Sequence, residues 1–191
     1  MLKIKIKIKS LIWILSLIGG LLTLRLIFTP AAYYFESSGH LIFWMWGWYD
    51  RLGIWDYGMA EGFISDPLIL NIGTICTLLI IVGASIIIVN SISAAFIIRK
   101  GNRFTKIVLL VWVLCGILII IAPIFWMTTV QIFPPFSPIP VGSDPPLNFW
   151  SVFFPGWAVI APIITGALSC CNIILYKIIF VKSYKKANRK I

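Results

Sequence analysis

Residues 68–98 read LILNIGTICTLLIIVGASIIIVNSISAAFII, 31 residues without one charged side chain. A helix needs roughly 20 mainly apolar residues to cross a bilayer, so this run is long enough to tilt or to project past the hydrocarbon. Three more apolar segments flank it, at 10–29, 107–133 and 149–176, the last two running 27 and 28 residues. Arg25 interrupts the first, near one end, where a guanidinium on a long apolar stem reaches the interface as an anchor. The whole chain has 191 residues, 60% hydrophobic and 12% charged, with a mean hydropathy of +1.01. Ordinary soluble domains carry about 25% charged residues. The composition predicts a multi-pass membrane chain with room for one folded loop, and rules out a water-soluble enzyme.

Charge placement orients the four segments. Fourteen of the 16 basic residues fall on one side: Lys3, Lys5, Lys7 and Lys9; Arg99, Lys100, Arg103 and Lys106; and Lys177, Lys182, Lys185, Lys186, Arg189 and Lys190. All six acidic residues fall on the other: Glu36, Asp50, Asp56, Glu61, Asp66 and Asp144. The excess of positive charge on cytoplasmic loops then places both termini in the cytoplasm of a cell-membrane protein. The expected layout is one domain over 1–191: a basic cytoplasmic arm (1–9), TM1 (10–29), extracellular loop 1 (30–67), TM2 (68–98), a cytoplasmic loop (99–106), TM3 (107–133), extracellular loop 2 (134–148), TM4 (149–176) and a basic tail (177–191). Leu2 to Lys9 alternates like a strand, but it leads straight into a span and reads as an arm. No small-residue cleavage site closes TM1, so it reads as a retained helix rather than a signal peptide. The basic groups hug segment ends, where anionic lipid headgroups sit; membrane lipids are the expected partners, and nucleic acid is not.

Residues 30–67 hold 11 aromatic residues. The alternation from Leu41 to Tyr49 places Ile42, Trp44, Trp46 and Trp48 on one face of a strand, with Tyr33–Phe35 and Ile54–Tyr57 as flanking strands of a small antiparallel sheet. On that reading the tryptophans, with Trp55, are the apolar foundation against the helix ends, and Met45 matters less. An irregular aromatic belt at the interface is the alternative. Residues 134–146 contain six prolines, an extended and stiff connector that also suits contact with a neighbour.

Within the segments, Gly83, Ala84, Gly156, Ala161 and Gly166 offer small surfaces for helix packing. Asn90 and Asn172, at similar depths, are expected to find polar partners, each other included. Cys170 and Cys171 are candidates for acylation, and buried small hydrophobes otherwise. Candidate chemistry is sparse. His40 is the one histidine, no metal set is spaced around it, and the outer acidic residues follow no calcium-loop pattern. No catalytic, metal-binding or cofactor-binding residue is assigned, and the chain is expected not to be an enzyme.

Several strings resemble the claudin and peripheral-myelin-protein superfamily. Leu52-Gly53-Ile54-Trp55 is similar to that family's Gly-Leu-Trp element, and Lys106 with Gly116-Ile117-Leu118 to its third-span pattern. Phe154-Pro155-Gly156-Trp157-Ala158, followed by Gly166-Ala167-Leu168-Ser169-Cys170-Cys171, resembles its fourth-span entry and paired cysteines. The sequence departs from the family where Gly58 follows Trp55 without the usual cysteine pair, and the C-terminus lacks the tyrosine-valine ending. The resemblance implies an all-α membrane protein, a left-handed four-helix transmembrane bundle carrying a small extracellular antiparallel sheet. The function expected is non-enzymatic: lateral or cell-surface contact and membrane organisation through Trp44, Trp46, Trp48 and Trp55, with self-association or another membrane protein as partner. An accessory subunit of a channel, transporter or respiratory complex is the alternative.

Overall fold

The computed structural model describes residues 2–36, 39–52, 60–97, 104–133 and 149–176. Its elements are α1 (Leu2–Leu26), β1 (Ala32–Glu36), β2 (Gly39–Phe43), β3 (Trp48–Leu52), β4 (Ala60–Phe63), α2 (Pro67–Ile97), α3 (Phe104–Ile132), α4 (Phe149–Val152), β5 (Phe154–Pro155) and α5 (Trp157–Tyr176). The four longer helices form a ring in which α1 touches α2 and α5, and α3 touches α2 and α5. A glycine stands at each contact. Gly20 of α1 backs onto Ala84 O of α2, Gly83 of α2 onto Ile119 of α3, and Gly19 of α1 onto Thr165 of α5. Between α3 and α5 the approach is backbone to backbone: a Cβ on Gly116 would fall 2.8 Å from Gly166 O, and one on Gly166 would fall 2.5 Å from Gly116 O. Such spacing excludes every side chain.

The strands form one open antiparallel sheet in the order β4-β3-β2-β1-β5, sitting at the end of the ring. β5 pairs with β1 through Ala32↔Pro155 and Tyr33↔Phe154. The next residue, Gly156, donates its N–H to Ala31 O (2.8 Å), so α5 starts where the sheet ends. At the other edge, Asp66 caps α2: its Oδ1 accepts from Leu68 N (2.8 Å) and Ile69 N (3.3 Å), and Pro67 fills a position that needs no donor.

The expected four-helix transmembrane bundle is corrected here. Among the described residues there are five helices, and two of them, over Pro67–Ala94 and Lys106–Ile132, are long and apolar enough to cross a membrane. The apolar parts of α1 and α5, Trp13–Leu26 and Trp157–Asn172, fall short of that length. The reason is local. The last apolar run, 149–176, is divided among α4, β5 and α5, so its first eight residues serve the sheet end. Hydropathy cannot separate an aromatic residue in a strand from one in a span. The multi-pass topology with both termini cytoplasmic rested on counting four spans, and it falls with that count. At the N-terminus, the alternating stretch from Leu2 belongs to α1.

The expected small sheet with a central strand over 41–49 is corrected as well. Those residues are a hairpin. Phe43↔Tyr49 is the last ladder pair; Gly47 N then donates to Trp44 O (3.0 Å) and Trp44 N to Trp48 O (2.8 Å). Gly47 has φ 97°, the left-handed position that closes a three-residue hairpin loop with a bulge. Burial alternates along β2 as the sequence suggests, but the buried set is Leu41, Phe43 and Met45, while Ile42, Trp44, Trp46 and Trp48 are half-buried. The foundation is therefore the set opposite to the tryptophans.

Met45 is fully buried, and the hairpin tip presses on α2: a Cβ on Gly73 would fall on Met45 O, and one on Gly47 would fall on Leu70 Cδ1. Leu41, Phe43 and Met45 share a cluster with Ile27, Trp126, Phe149 and Phe153, the last two stacked at 4.3 Å. Met45→Ala should cost about 2–5 kcal/mol of stability, the range for truncating a buried methionine. Trp48→Ala should cost less. Equilibrium unfolding of the full chain measures both, and the opposite ranking would refute the assigned facing of the hairpin.

Candidate functional site

Two apolar concavities meet at Trp157, the first residue of α5. Trp157 is 58% exposed and contributes to both. One is a slot of about 180 Å³ between α1 and α5, walled by Leu15, Ile18, Leu22, Leu26, Ile164 and Leu168, with Gly19, Ala161 and Thr165 also in its lining. The other, about 260 Å³, lies against the sheet and is lined by Thr29, Pro30, Tyr33, Phe35, Ile42 and Gly156. Gly156 is required where these meet, because a Cβ there would fall on Pro30 O.

Beneath the slot, α1 and α5 are joined by a buried polar seam. Thr23 donates its hydroxyl to Thr165 Oγ1 (2.8 Å), and Thr165 donates to Gly19 O (3.0 Å). Farther along, the Asn172 amide donates to Ser16 Oγ. Ser16, Thr23, Thr165 and Asn172 are all at most 3% exposed. Each hydroxyl or amide here is held by the opposite helix, which leaves the slot itself apolar.

The outer sheet face is a second feature. Tyr33 stacks on Phe154 (6.0 Å), Phe35 tilts against His40 (6.1 Å), and Trp48 meets Phe63 edge-on (5.2 Å). His40 Nε2 lies 3.1 Å from Asp50 Oδ2, an ion pair only when the imidazole is protonated.

The residues singled out from sequence disperse over these features. Trp44 Nε1 donates to Phe28 O (3.1 Å), whereas Trp46 stacks on Trp48 (6.0 Å); Trp55 lies outside the described residues, as does the proline-rich stretch 134–148. Gly83, Gly156 and Gly166 stand at the close approaches given above, Ala84 is fully buried, and Ala161 lines the slot. Asn90 and Asn172 are not partners of one another: Asn90 Nδ2 donates to Val108 O (2.8 Å) on α3, while Asn172 faces α1. Cys171 is exposed and Cys170 half-buried, and burial first, then the neighbouring Cys171, pushes the Cys170 thiol above its ordinary pKa. Among the described residues no three histidine, cysteine or acidic side chains gather as a metal set.

Sequence reasoning passed over Thr23 and Ser16; it reads Thr165 as a small packing residue and Trp157 as part of the fourth-span entry, and gives neither a place in a site. The small polar residues on two apolar helices were visible, but not which helices are neighbours.

No protein-family model matches the chain, and no curated protein matches it. The claudin and peripheral-myelin-protein resemblance is corrected accordingly: its strings are short, and among the described residues there are two membrane-length helices where that family has four spans. The membrane-organising contact role, the accessory-subunit alternative, and the partners assigned with them (membrane lipids and headgroups, self-association, another membrane protein) rested on that layout and do not stand. What the structure shows is a helix-rich fold closed by buried polar hydrogen bonds and aromatic clusters.

Ser16→Ala removes the acceptor of a buried amide and should lower stability by about 1–3 kcal/mol. Adding Asn172→Leu should recover part of that loss. A double-mutant cycle by equilibrium unfolding measures the coupling, and additive effects would contradict a seam at this position.

Proposed function

We propose that the chain is a non-catalytic binding protein whose cleft at Trp157 takes a hydrophobic small molecule, an aromatic ring bearing a short alkyl chain. The observation that carries this reading is the pair of apolar concavities joined at one exposed tryptophan. An apolar cavity of about 150 Å³ is large enough for benzene in another protein, and the α1–α5 slot is of that class. Binding pockets are commonly apolar with few polar groups that fix orientation. Here Thr29 Oγ1 is already spent on Leu26 O (2.6 Å), which leaves the Tyr33 hydroxyl and the Trp157 indole N–H as polar handles in the upper lining. The aromatic walls of Tyr33, Phe35 and Trp157 suit a ring, and the aliphatic walls below suit its chain.

The non-catalytic part is supported by how the interior polar groups are used. Thr23, Thr165, Ser16 and Asn172 hold α1 to α5, and a group spent in this way is not poised to act on a substrate.

Titration of the full chain with n-butylbenzene, followed by methyl resonances of Ile18, Leu22 and Ile164, should show saturable shifts. Ile164→Trp fills the slot from its half-exposed rim and should weaken binding about tenfold or more, a loss of about 1.4 kcal/mol or greater, without lowering the unfolding midpoint. Equal affinity in the variant and the parent would refute the assignment.

A further inference from the structure

We propose that the β2–β3–β4 half of the outer sheet face docks an extended, arginine-bearing peptide of a partner protein. The argument begins with register. Trp48↔Phe63 and Asp50↔Glu61 are directly opposed pairs two residues apart, so all four side chains share one face. Asp50 pairs with Ile42 across β2 and β3, on the side opposite the buried Leu41 and Phe43, so this face is the outer one. Phe63 is 58% exposed, and Glu61 is exposed beside it.

Charge supplies the occupant. The chain carries a net +10, yet among the described strand residues no lysine or arginine stands on this face, while Asp50 and Glu61 oppose one another across β3 and β4. Like charges placed directly opposite repel. Of the two carboxylates His40 approaches Asp50, and a cation laid over the pair relieves the repulsion. A guanidinium does this and also stacks on an exposed aromatic ring, a combination an ammonium serves less well.

Shape supplies the conformation. β4 ends the strand order, and no described strand pairs with its outer edge. A peptide added there in extended form places alternate side chains beside Phe63 and Glu61, on the same face. Arginine at every second position meets that requirement.

The test is titration of the full chain with an acetylated decapeptide of alternating arginine and serine, and with its counterpart carrying glutamate for arginine. The parent should bind the arginine peptide, more weakly as salt rises, and should not bind the glutamate peptide. Glu61→Gln leaves the His40–Asp50 contact in place and should weaken binding roughly threefold to tenfold with an unchanged unfolding midpoint; Phe63→Ala should weaken binding as much, with a midpoint lowered by the loss of its ring contacts to Trp46 and Trp48. Equal affinity of both variants and the parent, equal binding of the two peptides, or self-association through this face in place of peptide binding would each overturn the proposal.

Discussion

The contact between Gly116 and Gly166 sets the geometry of the ring. With no side chain on either residue, α3 and α5 meet at their backbones, and each glycine would clash with the other's carbonyl if it carried a Cβ. That approach leaves α1 and α2 to close the remaining sides. Gly19 and Gly20 let α1 sit against both neighbours at successive residues. The close spacing allows short hydroxyl side chains to bridge: Thr23, Thr165 and Gly19 form their relay because the helices are near enough for threonine to span the gap. Between α2 and α3, Gly83 takes the Ile119 side chain. There the larger Trp112 fills the space and donates its indole N–H to Ser91 Oγ (3.2 Å).

The sheet depends on the same economy of side chains at its two seats. One seat is the hairpin tip on α2, where Gly73 admits Met45 O and Gly47 takes the conformation that turns the chain. The other is Gly156 against Pro30, where β5 becomes α5. Between the seats, Phe43, Phe149 and Phe153 fill the layer under the strands, and Trp150 anchors α4 to α3 by donating Nε1–H to Met127 O (3.0 Å). The cleft at Trp157 is a consequence of this construction. It opens where α1 has ended, β1 has begun and α5 has just left the sheet.

Some of this was legible in the sequence. The run from Leu68 to Ile97 is a helix because nothing in it breaks the pattern, and the alternation from Leu41 onward does separate two faces. Which face is buried was not legible, because both carry large apolar side chains; the decision lies with Gly47, whose positive φ folds the run into a hairpin and drives Met45 inward. The helix neighbours were hidden for a related reason. On α2, Ile75, Leu78, Val82 and Val89 point outward while Ile80 and Ile87 are buried, so no contrast of polarity marks the inner face. The start of the last apolar run was misjudged because aromatic residues of α4 and β5 add to hydropathy as a span would. For the site, the small residues could be read but their pairing could not. Asn172 finds Ser16, 156 positions away, only once α1 lies beside α5.

The most direct test of the ring is a nuclear Overhauser measurement between the Hα protons of Gly116 and Gly166 in the full chain with selectively labelled glycine. The account predicts a strong cross-peak, because each Cα–H points at the other residue's carbonyl. No cross-peak between them, with Gly166 instead in contact with α1 or α2, would contradict it.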